Sequence, residues 1–235
     1  MVKMDDFQDK VILITGGSRG LGRALALDLA KKGARLVLLA KTQGALEAVD
    51  DEIKQAQAQA GLKPSGAVLV PFDLDQPQHF DGLAYNLFDR FGRLDAIIGN
   101  AAILGELTPL SHISPDDFDK IIRINFTANY RLIRASEPLL RQANYAHALF
   151  ISCPMAAMPK AFWAAYGASK AALQAMVEGW AKELEQTNIK AGWIDPGLMA
   201  TRIMAKAYPG KASDSWSQPE EKALTLCLEF LNIKK

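Results

Sequence analysis

The chain has 235 residues, of which 49% are hydrophobic and 23% charged, and its 27 Lys and Arg residues against 26 Asp and Glu residues give a formal net charge of +1. This balance is typical of a folded globular protein and excludes a disordered, collagen-like or disulfide-rich chain. A near-zero net charge also lacks the basic excess on which non-specific binding to nucleic acid depends, so we expect no nucleic-acid partner.

Short apolar runs alternate with longer amphipathic stretches along the whole chain, which predicts strands that alternate with helices. The apolar runs predict strands at residues 11–15, 35–40, 67–72, 94–99, 148–151 and 189–194. The amphipathic stretches predict helices at residues 21–32, 45–60, 80–91, 116–141, 166–186 and 220–231.

Strands that are apolar on both faces require helices on both sides of a parallel sheet. We find no linker or internal repeat, so the pattern predicts a single α/β domain over residues 1–235. The expected architecture is a Rossmann-type doubly wound parallel sheet in three layers, with six strands. Ligands of such folds bind at the carboxyl ends of the strands.

The cysteines and the apolar runs indicate where the protein resides. Cys153 and Cys227 are far apart and form no ligand motif, so neither a disulfide framework nor a metal site is expected. The first ten residues are polar and charged, and no apolar run approaches the roughly 20 residues that span a bilayer. We expect a reducing, cytoplasmic compartment and no membrane partner.

A glycine-rich segment, residues 15–22, lies between the first predicted strand and the first predicted helix. Glycines at this turn let the backbone bend sharply and bring its N–H groups to an anion, and the helix N-terminus adds its positive end. A pyrophosphate is the expected ligand. A glycine-rich turn without a ligand is the alternative, which the position between strand and helix disfavours.

Two cations favour NADP(H) over NAD(H). Lys41 follows the second strand, where NAD-binding chains carry an acid for the ribose 2′-hydroxyl, and Arg19 lies inside the glycine-rich segment. Both can bind a 2′-phosphate. The alternative is that both are solvated surface charges.

Tyr166 and Lys170 lie four positions apart at the head of a predicted helix, so they share one face. An ammonium group near the phenol favours the phenolate, which predicts a lowered pKa for Tyr166 and makes it a candidate proton donor and acceptor. Alone, such a pair is ordinary helix surface. Beside a dinucleotide loop it indicates a catalytic pair.

Together these segments resemble the classical short-chain dehydrogenase/reductase family. Residues 15–22 match its T-G-x-x-x-G-x-G motif, and Tyr166 with Lys170 matches Y-x-x-x-K. Further matches follow in the family's order: Asp73 with Leu74, Asn100-Ala101-Ala102, Asn125, and Pro196-Gly197 with Thr201. The resemblance extends from residue 10 to about residue 231.

The resemblance implies an oxidoreductase that reduces a ketone or aldehyde, or oxidises a secondary alcohol, with substrate and direction left open. Tyr166 would protonate the carbonyl oxygen as hydride arrives, Lys170 would bind the nicotinamide ribose, and Asn125 would hold a water that links Lys170 to solvent. With Arg19 and Lys41, the expected cofactor-binding residues are Gly16, Ser18, Gly20, Leu21, Asp73, Leu74, Asn100, Ala101, Tyr166, Lys170, Pro196, Gly197 and Thr201.

Cys153 stands where the family carries a catalytic serine. A thiol is a weaker hydrogen-bond donor than a hydroxyl, so carbonyl polarisation should suffer if Cys153 takes the catalytic role. Ser152 could replace it only if the strand ends or bulges there, because adjacent strand residues point to opposite faces. Cys153 could also be a small buried residue or a redox-sensitive thiol. The cysteine supports a second hypothesis, a dinucleotide-binding sensor or scaffold with weak or lost catalysis.

The residues expected around the substrate are mostly apolar, which predicts a substrate that is apolar around its carbonyl. They are Ile103, Leu104, Met155, Met158, Phe162, Trp163, Met199 and Met204. The histidines, His79, His112 and His147, lie outside the motifs and are expected at the surface or at caps.

The expected assembly is a homodimer through the helices that contain Asn125 and Tyr166. The family usually adds a seventh strand after the last helix, whereas this sequence has only residues 232–235 there. We therefore expect an open sheet edge and no tetramer built on a seventh strand.

Overall fold

In the part of the chain that the structure describes, six strands form one parallel sheet at the centre of the fold, which confirms the predicted Rossmann-type architecture. They are β1 (Val11–Thr15), β2 (Arg35–Ala40), β3 (Val68–Pro71), β4 (Ala96–Gly99), β5 (Ala146–Ile151) and β6 (Ile189–Ile194). Their spatial order is β3-β2-β1-β4-β5-β6. The structure is a computed structural model, and it describes residues 7–76, 78–210 and 216–231.

Helices cover both faces of the sheet and give the three predicted layers. They are α1 (Gly20–Lys31), α2 (Gln43–Gln59), α3 (His79–Phe91), α4 (Pro115–Ile122), α5 (Ala128–Leu140), α6 (Ala164–Glu183), α7 (Arg202–Ala207) and α8 (Pro219–Leu231). The side chain of Cys227, in α8, lies outside the described residues.

Alternation along the strands divides the core between the two faces. In β1, Ile12 and Ile14 pack with α1, α2 and α8, whereas Val11 and Leu13 pack with α3, α5 and α6. All four side chains are at most 1% exposed, as a strand covered on both sides requires. The continuous apolar run in the sequence is therefore explained by this double burial.

The sequence predicted one continuous helix over residues 116–141, and this was wrong because a π-helical turn separates two helices there. Ser114 begins α4 by accepting a hydrogen bond from the Asp117 N–H at 3.1 Å. Five residues, Arg123–Thr127, then form a π-helical turn before α5 begins. Such turns insert one extra residue into a helix and often occur at functional sites.

The expected surface position of His147 was also wrong. The strand predicted from residue 148 begins at Ala146, so His147 lies inside β5 and is only 8% exposed. Burial, with Lys190 and Lys10 adding positive charge, lowers the pKa of His147 to about 4. His79 and His112, by contrast, are exposed at the start of α3 and at the end of a short 3₁₀ turn.

Among the described residues, β3 and β6 are the two edges of the sheet. The expectation about a seventh strand concerns residues 232–235, which lie outside the described residues.

Candidate active site

The order of the strands in the sheet reverses at β1 and β4, and ligands of such sheets bind in the crevice at this point. Thr15, at the end of β1, ties the two loops together. Its hydroxyl oxygen accepts hydrogen bonds from the N–H groups of Asn100 (3.0 Å) and Ala101 (3.1 Å), and the Asn100 side chain donates to the Thr15 carbonyl at 2.9 Å. Asn100 therefore holds the shape of the glycine-rich loop.

Several positions of the glycine-rich loop require glycine, either for the backbone angle or for close packing. Gly16 and Gly20 have φ values of +68° and +53°, which side-chain-bearing residues rarely adopt. A Cβ on Gly22 would lie 2.3 Å from the Gly16 carbonyl oxygen and 2.6 Å from Asn100 Nδ2. The loop and the helix that follows it therefore pack backbone against backbone.

The N-terminus of α1 suits an anion. No side chain caps the helix there, and its first turn contains no acid, so its first N–H groups are available to a ligand. Gly16, Ser18, Gly20 and Leu21, all predicted from the motif, lie at this end. The cradle fits the pyrophosphate of a dinucleotide.

The two predicted 2′-phosphate ligands lie at the surface. Arg19 is exposed at the N-cap of α1, and Lys41 is 76% exposed directly after β2. The Lys41 ammonium forms an ion pair with Asp73, with Nζ 2.6 Å from Oδ2. Leu74, next to Asp73, is half-buried and packs against the core on the α3 side.

Three consecutive residues at the end of β5 meet three residues spaced four apart on α6. The Lys170 ammonium donates to the Ile151 carbonyl at 2.6 Å, and the Gln174 side chain donates to the Ser152 hydroxyl at 2.8 Å. The Cys153 thiol lies beside the Tyr166 hydroxyl and interacts with it. The structure thus turns Ser152 towards Gln174, and it is Cys153 that faces Tyr166.

Gln174 was not among the residues predicted for the site. A signal was present, because Gln174 continues the spacing of four from Tyr166 through Lys170 and so lies on the same helix face.

Burial controls the titration of the catalytic candidates. Tyr166 is 7% exposed and Lys170 only 1%. Burial lowers the pKa of Lys170 to about 8, which leaves its ammonium mostly protonated at neutral pH. Burial of the Cys153 thiol raises its pKa, although the Lys170 charge opposes this effect.

The sequence predicted a lowered pKa for Tyr166, and the direction of that prediction was wrong. Burial raises it, and the neighbouring Cys153 and Asp195 raise it further. Shared spacing on α6 brought Lys170 and Tyr166 to one face, yet the ammonium is turned to the Ile151 carbonyl and lies 5.9 Å from the centre of the tyrosine ring. Asp195, which directly follows β6, was not predicted from the sequence either.

Asn125 lies in the π-helical turn and is fully buried. Its side chain accepts from the Ile103 N–H at 2.8 Å and donates to the Ile103 carbonyl at 2.9 Å and to the Ser169 hydroxyl at 3.1 Å. Its backbone carbonyl accepts from the Asn129 side chain at 2.8 Å. Since the side-chain groups have protein partners, the expected water would have to bind this carbonyl.

The segment after β6 crosses the glycine-rich loop. The Asp195 carboxylate accepts from the Gly197 N–H at 2.9 Å, which fixes the turn at Pro196-Gly197. Thr201 caps α7, and its side chain is the nearest group to the position of a Cβ on Gly20, at 3.6 Å. Thr201 thus lies next to the glycine-rich loop.

Aromatic side chains cover Tyr166. Trp163 meets its ring edge to face at 5.9 Å, Tyr208 lies 5.9 Å beyond Trp163, and the Lys160 ammonium lies 5.0 Å from the centre of the Tyr208 ring. Leu104, Met155 and Ile203 pack in the same cluster. Trp163 was among the residues expected around the substrate, whereas Lys160 and Tyr208, which belong to no motif, were not.

Three other residues predicted around the substrate are not part of this cluster. Met199 is buried in the core with α1 and α8, and Met158 and Phe162 are 69% and 55% exposed. Met204 is half-buried in α7, and Ile103 contributes its backbone to Asn125.

Within the described ranges we find no group of His, Cys, Asp and Glu side chains that could hold a metal ion. None of the helices described there has the length and hydropathy needed to cross a membrane.

Comparisons with known proteins agree with this geometry. The family model for short chain dehydrogenases matches residues 10–212. An uncharacterized oxidoreductase of Escherichia coli K12, YciK, is 29% identical over 219 residues, which cover 93% of this chain and 85% of YciK. The chain therefore belongs to the short chain dehydrogenase family, and it is an oxidoreductase of that family.

Solved structures are similar over nearly the whole chain. The short chain dehydrogenase from Shigella flexneri has a TM-score of 0.88 and 29% identity, with 96% of this chain and 87% of that chain covered. A structure from Escherichia coli CFT073 in complex with NADPH has a TM-score of 0.87 and 30% identity, with 97% and 93% covered.

Proposed function

We propose that the protein is an NADP(H)-dependent oxidoreductase that reduces the carbonyl group of a ketone or aldehyde, with oxidation of a secondary alcohol as the reverse reaction. The observation that carries the proposal is the position of Tyr166. Its hydroxyl lies beside the Cys153 thiol at the carboxyl end of β5, on the same edge of the sheet as the pyrophosphate cradle.

Cofactor choice follows from the open α1 N-terminus and the two surface cations. Gly16, Ser18, Gly20 and Leu21 would hold the pyrophosphate, while Arg19 and Lys41 would bind the 2′-phosphate. Asn100, Ala101, Pro196, Gly197 and Thr201 shape the crevice around them. When bound, the nicotinamide dinucleotide supplies the two-electron redox chemistry.

Tyr166 would serve as the general acid. Its raised pKa keeps the phenol protonated at neutral pH, so it can donate a proton to a carbonyl oxygen. Lys170, still charged, would orient the ribose and return a proton to Tyr166, and Cys153 would donate a weak hydrogen bond to the same carbonyl oxygen.

The test combines binding and turnover. Purified protein should bind NADPH more tightly than NADH and consume NADPH with at least one member of a panel of apolar ketones and aldehydes. Tyr166→Phe should abolish turnover and leave NADPH binding in place, whereas Tyr85→Phe, a control at an exposed tyrosine of α3, should change neither. A protein that binds NADPH but reduces nothing on the panel, with Tyr166→Phe indistinguishable from wild type, would contradict the proposal.

The second candidate, a dinucleotide-binding sensor or scaffold, is favoured by one observation: a thiol with a raised pKa, and no hydroxyl, faces Tyr166 at the end of β5. Cys153→Ser separates the two functions. A large gain in turnover would identify a weakened catalyst, and vigorous wild-type turnover would exclude the sensor.

We further propose a homodimer through α5 and α6, since Tyr130 on α5 is an aromatic side chain that is 46% exposed. The free thiol of Cys153 suits a reducing, cytoplasmic location. Light scattering coupled to size exclusion should give twice the mass of the chain; a monomer or a tetramer would contradict the dimer.

A further inference from the structure

We propose that Asp73 limits the preference of this chain for a 2′-phosphorylated dinucleotide, because it engages Lys41 in an ion pair with which a 2′-phosphate must compete. The inference rests on the proposed function, in which Lys41 binds the 2′-phosphate of NADP(H).

The register of two neighbouring strands places the pair. Ala40, the last residue of β2, is aligned with Pro71, the last residue of β3, and the Phe72 N–H donates to the Ala40 carbonyl at 2.9 Å. Lys41 and Asp73 therefore leave the sheet side by side. Although no acidic residue follows β2 in the sequence, the structure places the carboxylate of Asp73, which follows the adjacent strand β3, at this position.

The Asp73 carboxylate is fixed through both oxygens. Oδ2 lies 2.6 Å from the Lys41 ammonium, and Oδ1 accepts the Asp75 N–H at 3.1 Å. Asp73 is 27% exposed against 76% for Lys41, so the carboxylate is held by the fold and the lysine bends towards it. This carboxylate is in place whatever the lysine binds.

The charges around the pair leave Asp73 as the main partner of Lys41. The second acid of the loop, Asp75, is engaged by the Arg123 guanidinium at 2.8 Å, and Lys120 acts on Asp73 from a greater distance. Contact with Lys41 lowers the pKa of Asp73, and contact with Asp73 raises the pKa of Lys41, so both are charged at neutral pH.

A phosphate held by Lys41 would lie within a few ångströms of this carboxylate. Two anions about 5 Å apart near a protein surface repel one another enough to change a binding constant about five- to tenfold. NADH carries no 2′-phosphate, so it escapes this repulsion and leaves the ion pair intact.

The experiment measures the dissociation constants of NADPH and NADH by fluorescence for wild type and Asp73→Asn at low ionic strength. The ratio of the NADH constant to the NADPH constant should rise about five- to tenfold in the variant. The ratio removes any contact that Asp73 makes to the adenosine half, which the two dinucleotides share. Raising the salt concentration should shrink the gain because surface charges are screened.

Asp75→Asn is the matched control, since it removes an acid of the same loop that pairs with Arg123, and it should leave the ratio close to the wild-type value. An unchanged ratio in Asp73→Asn would overturn the inference, and so would a lower ratio, which would mean that Asp73 orients Lys41 for the phosphate. Melting curves measured without dinucleotide check that both variants are folded. If Asp73→Asn is not folded, Asp73→Ser takes its place. If wild type bound neither dinucleotide, the proposed function would fail together with the inference.

Discussion

Substitution of the buried lysine, Lys170→Met, should uncouple stability from function. The fold lowers the Lys170 pKa from its ordinary 10.5 to about 8, which corresponds to about 3 kcal/mol of destabilisation of the charged form. Methionine has a similar length and no charge, but it leaves the Ile151 carbonyl without its 2.6 Å hydrogen bond, a loss of about 1–3 kcal/mol. At pH 7 the variant should therefore be at least as stable as wild type, and inactive.

The pH dependence is the sharper result. Between pH 8 and 10.5 the unfolded chain retains a proton on Lys170 that the folded chain has lost, so wild-type stability gains up to about 3 kcal/mol from this group as the pH rises. The advantage of Lys170→Met over wild type should shrink by that amount.

Urea unfolding, followed by tryptophan fluorescence at several pH values, gives both free energies of unfolding. Lys182→Met, at an exposed position in the last turn of α6, should follow the wild-type pH dependence. A difference between Lys170→Met and wild type that stayed constant from pH 8 to 10.5 would refute the reasoning.

Further predictions concern the loop, the buried histidine and the acid beside the tyrosine. Gly22→Ala places a Cβ 2.3 Å from the Gly16 carbonyl oxygen and should destabilise the fold by about 2 kcal/mol or more and abolish dinucleotide binding; Gly179→Ala, with nothing within 4 Å, should be neutral or stabilising, and equal urea midpoints for the two variants would count against the packing argument. Because the folded-state pKa of His147 is about 4, below the ordinary 6.5, wild type should lose up to about 3 kcal/mol relative to His147→Gln as the pH falls through that window. Parallel melting temperatures of those two proteins from pH 6.5 to 4 would contradict this expectation. Asp195→Asn should lower the pKa of Tyr166 and move the high-pH limb of the kcat/KM profile to lower pH, and an unmoved limb would show that Asp195 has no influence on the phenol.

The architecture could be predicted from the sequence because strands that are buried on both faces of a parallel sheet are continuously apolar. That pattern is visible in a single sequence. Val11 and Leu13 face one layer and Ile12 and Ile14 the other, so the whole run is apolar. The glycine-rich loop could also be predicted, since glycine alone readily adopts its backbone angles and allows its close packing.

The burial of the catalytic side chains and their hydrogen-bond partners could not be predicted from the sequence. Spacing placed Tyr166 and Lys170 on one face, but it contained no information about how far that face is buried, and burial decides the direction of the tyrosine pKa shift. Strand alternation implied that only one of Ser152 and Cys153 faces the site. Which one does so depends on Gln174, a partner contributed by another element.

The ion pair between Lys41 and Asp73 was hidden for a different reason. Lys41 was identified from its position after the second strand and Asp73 from its motif, yet their contact depends on the register between β2 and β3, which no local pattern specifies.

The π-helical turn makes the geometry of the site sensitive to chain length. Each residue of a helix adds about 100° of rotation, so the one additional residue in Arg123–Thr127 turns the faces of α5 relative to those of α4. Deleting one residue there would join α4 and α5 into one regular helix. Either Leu132 would rotate away from the sheet, or Asn125 would rotate away from Ile103. Substitutions in this segment can therefore leave the geometry in place, whereas deletion of one residue would remove one of these two contacts.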